Sequence, residues 1–123
     1  MQPAQCDITL YRGDYFEMTV RLREGTWNGY QYVAGNYLNL TGWSGKAEIR
    51  ADQDATAVLA SFTAEVLTQA GSSLGGVKLS LPTAQTATLA VASAVWDFQL
   101  TDPSARVYTY LRGSVAVDKD VTR

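Results

Sequence analysis

Apolar and polar residues alternate along most of this chain. In the clearest run, Tyr15 to Arg23, Phe16, Met18, Val20 and Leu22 interleave with Glu17, Thr19, Arg21 and Arg23. A period of two puts successive side chains on opposite faces of an extended backbone, so this run predicts a strand with one wet face. The longest patterned region is Val95 to Val117, where Trp96, Phe98 and Leu100 alternate with Asp97, Gln99 and Thr101. The segment Thr101-Asp102-Pro103-Ser104 follows as a turn, since Asp bonds back to its own backbone and Pro presets φ. A second run then puts Val107, Thr109, Leu111, Val115 and Val117 on one face, and Arg106, Tyr108, Tyr110, Arg112 and Ser114 on the other. Gly113 interrupts it, as glycine does at a bulge or a change of sheet. Together these runs predict a long hairpin, which needs a second layer to be stable in water.

Other segments supply that layer. Cys6 to Tyr11 reads as a first strand with Ile8 and Leu10 on one face, and Trp43 to Ala51 as another with Ala47 and Ile49 inward. Ala57 to Phe62, with Ala64 to Thr68, and then Val77, Leu79 and Leu81 add further strands. Arg12-Gly13-Asp14 is read as a hairpin turn rather than as an integrin-type ligand triplet, because it lies between two strands. Gln69 to Gly76 is a glycine-serine turn, and Thr83 to Leu89 is the one helical stretch, about two turns long. Glu24 to Tyr37 has no sustained period. Gly25 and Asn28-Gly29 are turn signals there, and Tyr30 to Val33 fits a short strand in a protruding hairpin. Short strands with turn signals every 8 to 12 residues or so predict an all-β antiparallel sandwich with one short helix. With no repeat or linker, residues 1–123 read as a single domain and 24–37 as an aromatic-rich insertion.

Composition narrows the function. The 123 residues are 46% hydrophobic with a net charge of −2, which suits a globular domain and gives no basic excess for nucleic acid. The single Cys6 leaves no internal disulfide, in keeping with assembly in a reducing cytoplasm. No basic start followed by an apolar core is present at the first residues, so no signal peptide is expected, and no apolar run approaches a membrane span. The sequence holds no histidine, which removes the usual general base, histidine-based triads and histidine-ligated metals. No phosphate-binding glycine loop occurs. Asp52 with Asp54, and Asp118 with Asp120, read as solvated turns or ends rather than calcium ligands. Asp97, between Trp96 and Phe98, reads as a carboxylate that ties strands or loop backbone by hydrogen bonds. No catalytic residue, metal or cofactor is expected.

Tyrosine and tryptophan combine large contact area with a polar tip, and they concentrate at interfaces. Trp27, Tyr30, Tyr32 and Tyr37, with Tyr108 and Tyr110 on the outward face of the last strand, are therefore the candidates for a protein interface. The same rings would suit stacking on sugars, or would cover the edge of the core.

The order RGDYFEMTVRL, LTGWSGKAEIR, GGVKLSLPTAQTATL and VWDFQLTDPSARVYTYLRGSVAVDKDVTR resembles a family of small structural domains of tailed bacteriophages. The matching positions are Gly13, Asp14 and Phe16, then Leu40 to Trp43 with Ile49 and Arg50. In the closing segment they are Trp96 to Phe98, Leu100 to Asp102, Leu111, Gly113, Val115, Val117 and Val121 to Arg123. Such domains are similar to the immunoglobulin-like N-terminal domain of phage upper-baseplate proteins. The resemblance implies an immunoglobulin-like sandwich acting as a non-enzymatic structural or adaptor protein of the virion, in tail, baseplate, neck or capsid surface. It would be assembled in the host cytoplasm and touch other virion proteins and symmetric copies of itself, with no nucleic acid or membrane partner. A carbohydrate-binding sandwich module is the alternative. The Trp27 to Tyr37 segment departs from the family pattern, and no attached receptor-binding or fibre part is expected.

Overall fold

The computed structural model describes residues 4–27 and 32–118. Its strands are β1 (Ala4–Gln5), β2 (Ile8–Tyr11), β3 (Phe16–Arg21), β4 (Arg23–Trp27), β5 (Tyr32–Tyr37), β6 (Ser44–Arg50), β7 (Ala60–Val66), β8 (Gly76–Leu81), β9 (Ser93–Thr101) and β10 (Val107–Asp118). A single helical turn, α1 (Thr83–Thr86), and a 3₁₀ turn at Gly71–Ser73 complete the described elements. The chain adopts the expected all-β, sandwich-like fold. One sheet in the order β1-β10-β9-β6-β7-β8-β3 curls over itself, and β4-β5 form a separate hairpin.

The curl happens within β7. Ala60, Ser61 and Phe62 pair with β6, whereas Thr63 to Val66 pair with β8, so one strand belongs to both layers. Alternation decides what lies between the layers. Ala94, Trp96, Phe98 and Leu100 of β9 and Ala47 and Ile49 of β6 face Val77, Leu79 and Leu81 of β8, all of them buried. Each such large side chain contributes roughly 1.5–3 kcal/mol by leaving water. Phe62 sits at the fold of the sheet, with ring centroids 6.0 Å from Phe16 and 5.6 Å from Trp96. Leu40 and Leu89, from connections, close the ends of the core.

The N-terminal segment departs from the antiparallel expectation. β1 and β2 both run parallel to β10, at Leu111–Arg112 and Val115–Asp118, along the same edge. Between them the Cys6 N–H bonds to the Arg112 carbonyl at 2.8 Å. The Trp96 indole N–H donates to the Cys6 carbonyl at 2.7 Å, and Asp7 Oδ1 accepts the Ser114 N–H at 2.9 Å. This last bond, with the help of Gln5, holds the Asp7 carboxyl below its usual range. Gly113 makes the close approach possible, because a Cβ there would overlap the Cys6 carbonyl. Its role is therefore backbone contact with the first strands; the bulge in β10 lies between Thr109 and Leu111.

Arg12-Gly13-Asp14 is a turn, closed by the Asp14 N–H on the Tyr11 carbonyl at 2.9 Å, but it does not make a hairpin. β2 pairs with β10 and β3 with β8, so the turn carries the chain from one layer to the other. Turn chemistry is local, and it does not specify which strands pair.

The β9–β10 turn is tied by Asp102. Its Oδ1 accepts the Ser104 and Arg106 N–H groups, both at 2.9 Å, and its Oδ2 accepts Arg106 Nε at 2.8 Å. The Arg106 backbone bond leads the effects that lower the Asp102 carboxyl below its ordinary value. Ala105 in this turn has φ 67°, the left-handed region that favours glycine. Ala105→Gly is expected to raise stability by about 0.5–1 kcal/mol, read as a higher urea midpoint with an unchanged slope.

A candidate interaction surface

Among the described residues, the aromatic residues singled out from the sequence are divided between the β4-β5 hairpin and β10. Trp27 and Tyr32 pair with each other across the far end of the β4-β5 hairpin, and Tyr30 lies outside the described residues. Tyr37, at the base of that hairpin, is half-buried. The Arg21 guanidinium lies 3.4 Å from its ring centroid and that of Arg23 lies 5.0 Å away. Arg21 Nε also donates to the Leu74 carbonyl and Arg23 Nε to the Gly35 carbonyl, each at 2.8 Å. Tyr37 therefore clamps the hairpin to the body through cation–π contacts. The hairpin starts at Leu22, whose N–H still continues the β3 register on the Gly75 carbonyl and whose carbonyl accepts the Leu38 N–H. Gly75, at φ +79°, permits that crossing; a Cβ there would press into the Leu22 backbone.

Tyr108 and Tyr110 lie elsewhere than on the outward face. Continuous alternation would put Tyr108 opposite the side of Leu111, but the bulge at Tyr110 resets the register, so that Tyr108 pairs with Leu100 and Leu111 with Phe98. A one-residue shift exchanges faces. Tyr108 consequently stacks on Trp43 (6.1 Å, 28° between planes), and Tyr110 lies 6.3 Å from Tyr108. Burial, then the neighbouring Tyr108, raises the Tyr110 hydroxyl above its ordinary pKa. Trp43, Tyr108 and Tyr110 form a half-buried aromatic row at one end of the sandwich. Val107, one residue before Tyr108 and therefore on the other face of β10, is 58% exposed, one of few large apolar side chains so placed among the described residues. Trp43 was not among the sequence candidates. Its only signal was an aromatic residue at the start of a strand, with nothing to indicate its distant partner.

On the outer face of β6, β9 and β10, an open depression of about 620 Å³ is lined by Glu48, Arg50, Asp52, Asp97 and Arg112 among others. Register sets Glu48, Asp97 and Arg112 side by side across three strands. Glu48 is paired with Arg50 at 3.0 Å and Lys46 at 3.7 Å. Asp97 has no hydrogen-bond partner among the described residues, contrary to the expectation that it ties backbone together; Asp102 and Asp7 do that instead. Burial, then the facing Glu48, raises the Asp97 carboxyl above its usual value. Asp52 caps its own turn by accepting the Asp54 N–H at 2.9 Å. Among the described residues no three potential ligands converge on a metal position, and no helix is long and apolar enough to cross a membrane.

No family model matches this chain, and no curated protein does. Among solved structures it is similar to CopC from Methylosinus trichosporium OB3b, at 14% identity and TM-score 0.43, covering 75% of this chain and 76% of that one. It is also similar to the SrpA adhesin R347E mutant from Streptococcus sanguinis, at 13% identity and TM-score 0.45. That match covers 92% of this chain and 55% of the adhesin, so the chain spans about half the adhesin's length. Likenesses this distant carry no argument about activity.

Proposed function

We propose that this protein is a non-enzymatic structural adaptor of a tailed-phage particle, working through protein contacts at the aromatic end of the sandwich. The observation that carries the reading is the half-buried Trp43–Tyr108–Tyr110 row, with Val107 exposed on the other face of the same strand end. Half-buried aromatic side chains at the end of a strand that also exposes an aliphatic one match the residue types enriched at interface centres. The succession of motifs along nearly the whole chain supports the phage setting. A sugar platform fits this row less well, because stacking needs an open ring face and Tyr108 already lies against Trp43.

Val107→Glu tests the contact, since Val107 is exposed and the change should alter stability by no more than about 0.5 kcal/mol. Particles assembled with this variant as the sole copy are expected to incorporate at least about tenfold less of it, the cost of a charge in a desolvated anchor pocket. Incorporation at the wild-type level, measured by quantitative mass spectrometry of purified particles, would refute this surface. Saturable binding on a glycan array, abolished by Tyr108→Ala, would favour the carbohydrate reading.

A further inference from the structure

The other end of the sheet offers a contact of a different kind. β3 is a terminal strand that, among the described residues, pairs with β8 alone, and it is regular throughout, without bulge or proline. The hydrogen-bond phase of this strand is fixed. The Leu22 N–H points to Gly75 of the β8 side at 2.9 Å, continuing the Arg21↔Gly76 register. Alternate residues therefore bond to β8 at Phe16, Met18 and Val20. The N–H and C=O groups of Glu17, Thr19 and Arg21 point away from it. Among the described residues no backbone group meets them. The free part of β10, by contrast, is distorted by its bulge, a feature that blunts an edge.

The sequence of β3 is alike in polarity and opposite in charge on the two sides of Thr19. Glu17 and Arg21 lie two residues to either side of it, and Met18 and Val20 one residue to either side. We infer that β3 pairs antiparallel with β3 of a second copy of this chain, on a two-fold axis through Thr19. In that register Glu17 faces the partner's Arg21, Arg21 faces the partner's Glu17, and the two threonines meet. On the core side Met18 faces the partner's Val20, covering a row that is only half-buried in the single chain. All the outward backbone groups of Glu17, Thr19 and Arg21 find partners at once, which any register shifted by one residue would deny them. The charged groups have capacity left for this. Glu17 holds the Tyr15 hydroxyl on Oε2 at 2.9 Å, leaving Oε1. Arg21 uses Nε and Nη2 on the Leu74 and Gly71 carbonyls, leaving Nη1. The result is a closed, isologous dimer with one continuous sheet across it. This contact goes beyond the particle reading and does not depend on it.

Sedimentation velocity over about 1 to 500 μM tests the dimer, a range that brackets modest strand-edge affinities. Wild-type protein is expected to shift from monomer to dimer, and Thr19→Pro to stay monomeric with its fold intact, because the lost N–H faces the open edge. Glu17→Arg and Arg21→Glu should each weaken self-association by about tenfold or more, by setting like charges opposite one another twice. An equimolar mixture of these two variants should recover wild-type association to within about threefold, since each then meets its opposite. Hydrogen exchange on the wild-type protein needs no variant. Amides of Glu17, Thr19 and Arg21 should gain protection as concentration rises, while those of Met18 and Val20 stay constant. A monomer at every concentration, or a dimer that leaves these three amides unprotected, would overturn the inference.

Discussion

Trp96→Ala is expected to lower stability by about 3–5 kcal/mol, the range for truncating a buried aromatic side chain. Trp96 is 3% exposed, packs against Phe62 at 5.6 Å and lies where β9 is paired on both sides, with Ile49 and Gly113 as its cross-strand neighbours. Collapse around a cavity at that position is resisted from both flanks. The indole also carries one of the bonds that dock the N-terminal strands, 2.7 Å from the Cys6 carbonyl. Trp96→Phe separates the two contributions, because it keeps most of the ring and removes the N–H; about 1–2 kcal/mol is expected. Urea unfolding followed by circular dichroism measures both. A loss for Trp96→Ala below about 1 kcal/mol would mean that the ring is not packed as described.

Gly113→Ala should be the most damaging single methyl in the chain. The added Cβ would overlap the Cys6 carbonyl and come within 2.8 Å of Asp7 Oδ1, so backbone rather than a pliant side-chain end must move. Overpacking of this kind costs about 2–3 kcal/mol. The loss should be localised. Amide protection at Cys6 and Ser114, both bonded across the junction, is expected to fall, while protection of β8 is retained below the global unfolding limit. Combined with Trp96→Phe, the two effects should fall short of their sum by about 0.5–1 kcal/mol, since an undocked Cys6 carbonyl leaves the indole N–H nothing to lose. Strict additivity would show that the indole bond and the glycine approach are independent.

Much of the fold was legible because alternation and burial follow one another residue by residue. Ala47 and Ile49, Val77, Leu79 and Leu81, and Trp96, Phe98 and Leu100 all face inward as their period required. The turn role of Asp102 was legible for the same local reason, a carboxylate beside proline and serine. What escaped was non-local. Nothing in Cys6 to Tyr11 says that its partner lies more than 100 positions away and runs parallel to it. The bulge at Tyr110 has no glycine to announce it, so an unbroken period keeps Leu111 with Val115 and Val117 correctly but puts Tyr108 on the wrong face. Trp43 and Tyr108 became neighbours only through that bulge. Asp97 was read as a bonded carboxylate because hydrogen bonding is the usual remedy for partial burial; its facing neighbour is instead a second acid, Glu48.

The division of β7 between the two layers has a mechanical consequence. A load that tries to slide one layer over the other cannot follow a seam, because the same six peptide links from Ala60 to Val66 are held on one side at their start and on the other at their finish. Shear is converted into tension along that strand and spread over both ladders together. In a mechanical pulling experiment the domain should yield in a single step, without a half-open intermediate.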